Sequence, residues 1–565
     1  MGIATTLTTA VAHAASTTPT EGAGSDPGWV SVLPPVVAIA AALLSRQVLP
    51  SLFLGVWVGA WLVQGLTVSG LWFGLLDVPN RWVLEAIAPP DGDSSHASIM
   101  IFTILIGGLV GIIACNGGTM GIVKAVTRWT TSRRRGQTVT GALGLVIFFD
   151  DYANTLVIGN SMRPVTDRLR ISREKLAYIV DSTSAPVASL ALISTWIGFE
   201  VGLIEEALAS AGIDESAYGV FVSSLPYRFY PVLALLLVFA VALSGRDIGS
   251  MRRAEQRALS GQVSRRDDLA SGSDDELAAK EGAPHRLVNA VVPLLVLVGA
   301  TLGFLFVTGE GSGVREIVGS ADSYASLIYG SILAVVVAGV MTVAQRVLSL
   351  GETVRAWFAG VKSVIYVLIV LVLAWSLSAV ADELGTADYV AGLLGDSIAP
   401  WLLPAVLFVV AAATAFATGT SWGTMAILMP LAVPLSVAVS ELSGVTGEAL
   451  LPGLFAAVST VLAGAVWGDH VSPISDTTVL SSLASGCDPV DHVRTQMPYA
   501  FLAGGVSVVA LLGVGAGLPW WVVWPLALAA VLGGLRLLGR HTEEEPDHGR
   551  VEVDVREGAA QRTDG

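Results

Sequence analysis

The sequence predicts an all-α polytopic membrane protein: about eleven transmembrane helices plus two re-entrant hairpins in an inverted-repeat arrangement. Four observations predict it. Apolar residues make up 53% of the 565 residues and charged residues only 14%, with mean hydropathy +0.69. The apolar residues fall in runs of about 20, the length of a bilayer-crossing helix. Acidic residues interrupt two of those runs, at 148–155 and 467–476. An ionised carboxylate in hydrocarbon costs from ~3 to more than ~10 kcal/mol, so it is rarely retained without an ion, a proton or a partner. Finally, the loop charges alternate in sign across the chain only if two of the runs turn back on themselves.

Taken in order, residues 1–28 contain Ala-His-Ala-Ala-Ser, which faintly resembles a cleavage site. No basic segment and no sufficient apolar core precede it, so a flexible, uncleaved N-terminus is expected. Apolar spans follow near 31–47, 51–67, 97–115, 138–162, 174–200, 227–245, 287–308, 323–344, 361–381, 402–437, 449–484, 497–516 and 519–538. Residues 29–245 form a first membrane half and 287–540 a second. The 61 glycines and 25 prolines suit such a chain, because membrane helices use Gly for close packing and tolerate Pro at breaks.

The span 138–162 has Lys124, Arg128, Arg133, Arg134 and Arg135 before it, and Arg163, Arg168, Arg170, Arg173 and Lys175 after it. A simple crossing would put one basic cluster outside. An inward-opening hairpin that turns at 150–155 keeps both inside. The span 402–437 has flanks containing Asp382, Glu383, Asp388, Asp396, Glu441 and Glu448 and no Lys or Arg, so its hairpin opens outward. The remaining loops then alternate, with the C-terminus cytoplasmic and the N-terminus outside. Each half also holds a helix broken by a polar, Pro-containing stretch: 174–200 around Asp181-Ser182-Thr183-Ser184-Ala185-Pro186, and 449–484 around Asp469-His470-Val471-Ser472-Pro473. Broken helices from inverted repeats meeting at midplane are the architecture of secondary transporters.

The formal charge of −15 is largely peripheral: residues 541–565 hold eight acidic and three basic residues and read as a disordered, solvated tail. Residues 246–286, with eight basic and eight acidic residues and no apolar periodicity, read as a cytoplasmic linker. The two cysteines, Cys115 and Cys487, have no metal-ligand spacing and read as small packing residues.

The candidate ion- or substrate-binding residues are Asp150, Asp151, Asn154 and Thr155 of the first hairpin. Asp181, Ser182 and Thr183 of the first broken helix join them, with Thr418, Thr420, Ser421, Asp469, His470, Ser472 and Asp476 of the second half. They offer hard oxygen ligands of the kind sodium prefers. Hydroxyls in membrane helices often only mediate packing, and Asp150 and Asp151 could instead lie at a headgroup-level helix end. His470 either donates to a neighbouring carboxylate or takes a direct part. Glu200 ends its span and reads as interfacial. Arg163 and Arg168 lie close enough to the first hairpin to pair with its acids.

The run Phe148-Phe149-Asp150-Asp151-Tyr152-Ala153-Asn154-Thr155 continues through Gly159-Asn160-Ser161-Met162-Arg163-Pro164-Val165-Thr166-Asp167. With Asp181–Pro186, Gly419-Thr420-Ser421-Trp422-Gly423-Thr424, Gly468-Asp469-His470 and Ser472-Pro473-Ile474-Ser475-Asp476-Thr477-Thr478, it resembles the NhaC-type sodium/proton antiporter family over roughly residues 97–500. The resemblance implies inverted repeats with re-entrant hairpins, a multi-pass location in the inner or plasma membrane, and a homodimer. Members similar to that family also include sodium-coupled exchangers of malate and lactate.

The expected activity is therefore exchange of sodium for protons by alternating access. Burial favours a protonated carboxyl and a bound cation favours an ionised one, so a single site holds one or the other. Asp150, Asp151, Asp181 and Asp469 rank highest as sodium ligands. The alternative is sodium- or proton-coupled transport of a small organic acid or amino acid. It needs a cationic anchor, and within the spans only His470, or Arg163 near an end, supplies one, although helix N-termini also bind carboxylates. An intramembrane enzyme is the remote alternative: Gly419-Thr420-Ser421-Trp422 lacks the second glycine of a Gly-x-Ser-Gly motif, so no catalytic residues are expected. No phosphate-binding loop motif occurs, which argues against an ATP-driven pump. Expected partners are the lipid bilayer, sodium and protons, with no cofactor and no nucleic acid.

Overall fold

The computed structural model describes residues 28–45, 47–89, 94–127, 129–265, 279–280, 282–310, 321–386, 389 and 399–542. The flexible N-terminus expected over 1–28, Gly28 apart, and all but two residues of the tail expected over 541–565 lie outside the described residues. Among the described residues, nine helices are long and apolar enough to cross a membrane. The count is ten if the pair Ala217–Tyr227 and Phe229–Ser244, bent by 51°, is one span, and Trp29–Ala42 and Val48–Val63 are shorter apolar helices. The chain is an all-α polytopic membrane protein.

In the first half, polar residues start the helices by capping them. Ser132 accepts from the Arg135 amide to begin α1 (Arg133–Val146), and Asp150 caps α2 (Asp151–Arg168). Ser172 caps α3 (Arg173–Ser182) and Ser194 caps α4 (Thr195–Ser210). Each such cap satisfies an amide that a helix start leaves open, which matters most where water is absent. The arms α1 and α2 fold back on each other: the Arg133 guanidinium donates to the Arg170 carbonyl, and a Cβ on Gly136 would come within 2.5 Å of Leu169 Cδ1. Their tip is therefore 147–150. Helix α5 (Phe229–Ser244) then runs to a left-handed Gly245.

After α5 the chain does not behave as a mere linker. Arg246–Ile248 (β1) pairs antiparallel with Gly539–His541 (β2), with Asp247 opposite Arg540. The helix α6 (Gly249–Leu259) buries Met251, Ala254, Glu255 and Ala258 on one face. Asp247 lies at the centre of this assembly. It pairs with the buried Lys175 ammonium of α3 and accepts from Tyr499 Oη at 3.1 Å and Thr542 Oγ1 at 2.6 Å. Glu255 accepts from Arg133 at 2.6 Å and from the Ser172 amide at 2.7 Å. Burial pushes the Glu255 carboxyl up and Asp247 adds repulsion, which Lys175 and Arg133 oppose. Further links join Arg257 to Glu174, Arg265 to Asp491 and Ser250 to the Arg494 carbonyl. The basic loops of both halves thus share one face of the protein. Residues 246–265 pack as part of the fold, and His541 and Thr542, expected in the tail, are anchored. The remainder of the segment read as a linker lies largely outside the described residues.

In the second half, α7 (Leu350–Glu383), 34 residues long, extends the span expected at 361–381 and is closed at its start by a capping box of Ser349 and Glu352. It crosses the helix Ser95–Cys115 at glycines, where a Cβ on Gly111 would lie 2.2 Å from the Ala356 carbonyl oxygen. Helices α8 (Leu403–Thr418) and α9 (Ser421–Leu442) fold back at Gly419–Thr420, since Leu403 buries against Leu435 and Val439. At 1.5 Å per residue these arms span about 24 and 33 Å. There follow α10 (Leu451–Val471), a break at 472–475, α11 (Asp476–Ser485), α12 (Pro489–Gly515) and α13 (Trp520–Leu538).

The halves interlock reciprocally. The outgoing arm of the first hairpin, α2, packs on α11 of the second broken helix, with Gly159 against Ala484. The outgoing arm of the second, α9, packs on α4 of the first, with Trp422 against Trp196 and Phe199 at 4.7 and 4.6 Å between ring centroids. Both outgoing arms carry a proline fourteen residues after the cap: Pro164 after Asp150 and Pro434 after Thr420.

Replacing Asp247 by Ala leaves the Lys175 charge buried without its partner. The expected cost is about 3–5 kcal/mol, read as a lower melting temperature of the purified protein in detergent, whereas Lys175→Met/Asp247→Leu recovers most of it. An unchanged melting temperature for Asp247→Ala would show that the pair does not hold this face together.

Candidate ion-binding site

At the first hairpin tip, Asp150 adopts an extended backbone and its Oδ1 accepts from the Ala153 amide at 2.7 Å. One oxygen of this carboxylate is therefore a helix cap. Asp151 is buried in the first turn of α2. Asn154 ties the tip together: its Nδ2 donates to the carbonyls of Gly144 at 2.9 Å, Ile147 at 2.9 Å and Thr183 at 3.0 Å. The Asn154 Oδ1 and Thr155 Oγ1 atoms are buried with no hydrogen-bond partner. Gly144 permits this approach, because a Cβ there would sit 2.2 Å from Thr183 Oγ1. Thr183 itself donates to the Ile179 carbonyl at 2.7 Å.

The second tip has the same design with hydroxyls in place of carboxylates. Gly419 takes a left-handed conformation (φ +73°) against the Ile474 carbonyl, a position that any side chain would strain and crowd. Thr420 caps α9 through the Gly423 amide at 3.4 Å, and Ser421 at the next position is buried with Oγ unpartnered. Thr418 donates back to the Thr414 carbonyl at 2.8 Å. Ser472, in the second break, donates to the Phe416 carbonyl at 2.8 Å and so fixes the break against the tip. A cavity of 390 Å³ lies between the two hairpins, lined by Tyr152 of α2, Thr418, Thr420 and Ile474, and by Ser363 and Tyr366 of α7.

Beside the tips is a buried polar node centred on Asp181. Its Oδ2 accepts from Gln496 Nε2 at 2.6 Å, His492 Nε2 at 3.2 Å and Thr478 Oγ1 at 3.2 Å, with His470 Nε2 at 3.7 Å. The His470 ring bridges Ser182 Oγ at 3.0 Å and Tyr230 Oη at 2.6 Å, and its carbonyl accepts from Gln496 at 2.5 Å. Asp469 Oδ2 accepts from Thr477 Oγ1 at 2.7 Å. Every one of these side chains is buried.

The structure thus brings Asp181, Ser182 and His470 into one network, with Asp469 joined to it through its own carbonyl, which Thr478 Oγ1 approaches at 3.4 Å. Asn154 links the first tip to the same break through Thr183. Asp476 begins α11, and its side chain lies outside the described residues. Among the described residues, no three or more Asp, Glu, His and Cys side chains converge as a metal-binding group. A cation here would take neutral hydroxyl and carbonyl oxygens alongside a carboxylate.

Three expectations are corrected by these positions. Arg163 lies against Gly486, and Arg168 lines a separate cavity with Lys124 and His285, away from the hairpin tip. Glu200 is fully buried, bonded to the equally buried Arg228 at 3.1 Å. Buried cations are not confined to His470 and Arg163: Lys175 and Arg228 are both inside, each neutralised by a carboxylate.

Sequence reasoning missed Tyr230, Thr477, Thr478, His492 and Gln496 as site residues. The last two were overlooked because the penultimate span was expected to begin at 497, after a stretch containing Asp488, Asp491 and Arg494 that reads as a loop, whereas that helix begins at Pro489. The available signal was spacing: His492, Gln496 and Tyr499 recur at helical intervals and share one face.

The Na+/H+ antiporter family model matches residues 187–516. The chain belongs to that family. It is 34% identical over 519 residues to an uncharacterized protein of Haemophilus influenzae, a match covering 89% of this chain and 94% of that one. A shorter match, 38% identical over 77 residues, covers 13% of this chain and 16% of the arginine/ornithine antiporter ArcD of Halobacterium salinarum. Among solved structures, the Alcanivorax borkumensis YdaH transporter aligns with a TM-score of 0.48 at 14% identity, covering 79% of this chain and 90% of that one. Neisseria gonorrhoeae MtrF aligns with the same score and identity over 78% and 84%. Residues 150–155 and 181–183 precede the segment matched by the family model, whereas the second hairpin, Asp469, His470, His492 and Gln496 fall inside it.

If the Asp150 carboxylate caps α2, Asp150→Asn keeps thermal stability close to wild type, while Asp150→Ala lowers it by about 1 kcal/mol. Equal losses in the two variants would assign the carboxylate a different task in the resting protein.

Proposed function

We propose that this secondary transporter of the antiporter family exchanges sodium for protons across the cell membrane by alternating access. The observation that carries the reading is Asp181: a buried carboxylate held by donors from α11 and α12, with two imidazoles within 3.7 Å. A carboxylate so placed requires compensating charge or donors. A proton or a sodium ion each meets that requirement, and each displaces the other.

The unpartnered oxygens of Asn154, Thr155 and Ser421 at the two tips supply neutral ligands for the ion, with Asp151 and Asp469 as further carboxylates. The cation gains oxygen ligands as the tips close on it, while His470 and His492 hold the node when the ion is absent. Because each outgoing arm packs on the opposite broken helix, moving one repeat against the other opens the site to one side at a time.

The basic face built from α6, β1 and the loops before α1 and α3 is cytoplasmic in this reading, by the excess of Lys and Arg in its loops. On this reading the C-terminus is inside and the N-terminus outside. The alternative cargo, a small organic acid or amino acid, calls for a free cationic anchor. Both fully buried cations near the helices of the site, Lys175 and Arg228, are already paired with carboxylates, which favours the inorganic ion.

The test uses everted vesicles acidified inside and a pH-sensitive dye. Adding sodium is expected to dequench the dye with wild-type protein and to leave it quenched with Asp181→Asn, at equal protein in the membrane. His492→Gln is expected to retain exchange with a displaced pH profile. Absence of any sodium response, with a response only to malate, lactate or an amino acid, would move the assignment to the organic-substrate exchanger.

A further inference from the structure

On the basic face, apart from the ion site, a cavity of 560 Å³ opens between the helix Gly118–Thr127, the far end of α2 and the segment before the helix Val288–Thr308. Lys124, Arg168 and His285 line it, and none of its described lining residues is acidic. The hydroxyls of Thr127, Thr130 and Ser161 stand among these groups, and Met120, Val123, Val165 and Leu169 form an apolar part of the wall. Elsewhere on this face four basic residues are matched by carboxylates, Arg133 with Glu255, Arg173 with Asp167, Arg257 with Glu174 and Lys280 with Glu352, while others such as Arg170 and Arg286 bond neutral oxygens. Here, three groups able to carry positive charge face one space that, among the described residues, no carboxylate lines.

We propose that this cavity binds the phosphate headgroup of an anionic phospholipid from the leaflet on the basic side. Cations around a cavity repel one another and are stabilised by an anion placed between them, and a basic pocket between transmembrane helices suits a lipid headgroup. The hydroxyls are donors for phosphate oxygens, and the apolar wall suits the glycerol backbone and upper acyl chain better than a free inorganic ion. Arg168 lies in the last turn of α2, the arm whose first turn carries Asp151, Asn154 and Thr155. A lipid held here restrains the outer end of the hairpin arm that forms the ion site.

The experiment purifies full-length protein from membranes, exchanges it extensively in detergent and quantifies retained phospholipid by class. Wild-type protein is expected to retain phosphatidylglycerol in preference to phosphatidylcholine. Lys124→Gln/Arg168→Gln is expected to retain it about thirtyfold less tightly, the fold-change for two basic groups at about 1 kcal/mol each. Both side chains are exposed, so the double variant is expected to melt at the wild-type temperature in phosphatidylcholine alone and to lose only the added stabilisation by phosphatidylglycerol. Equal retention by the variant, no discrimination between the two lipids, or equal stabilisation by inorganic phosphate would overturn the proposal.

Discussion

A carboxylate buried at membrane depth has to be compensated by donors, a cation or a proton, and at Asp181 the compensation is drawn from several helices at once. Thr478 reaches it from α11, His492 and Gln496 from α12, and His470 from the end of α10. None of these elements can shift without altering the electrostatic balance at the acid. Conversely, whatever neutralises the acid changes the energy of every arrangement of those elements. That two-way dependence is the physical requirement for coupling ion occupancy to conformation.

The node is also connected outward. Helix α12 presents His492, Gln496 and Tyr499 along one face, so the residue that bonds Asp181 and the residue that bonds Asp247 belong to one rigid element. Helix α3 makes the same connection in parallel, with Asp181 near one end and Lys175 near the other. The β1–β2 ladder and Thr542 grip both helices through Asp247, so the start of the intervening segment and residues 539–542 brace the two helices that hold the acid. On the other side, Arg228 joins Glu200 to the Ser189 carbonyl in the first break, keeping irregular backbone satisfied where no water would do so.

Much of this was legible in the sequence, and for identifiable reasons. Acids within apolar runs, glycine and proline at breaks, and the sign of flanking charge are properties of short segments, and they drew attention to 148–155, 181–186, 418–423 and 469–476, although the first turn lies at 147–150 rather than at the 150–155 expected. Where partners come from distant segments, the sequence was silent. Asp150 is the exception, since the amide that occupies one of its oxygens belongs to Ala153, three residues on, and an acidic cap before a helix is a local signal. Lys175 reads as a loop cation until α6 and β1 fold over it and bring Asp247. Arg228 hides at a span boundary because its carboxylate, Glu200, is 28 residues away on another helix. His492 and Gln496 were masked by charged neighbours that end outside the node while they point into it.

The central claim is that proton and sodium are alternative occupants of one buried carboxylate system. Calorimetric titration of sodium into the purified protein, repeated in two buffers of different ionisation enthalpy, measures it most directly, because the difference between buffers counts the protons exchanged on binding. The account predicts that sodium binding releases protons, and that Asp181→Asn abolishes this release. Sodium binding with the same heat in both buffers would contradict it.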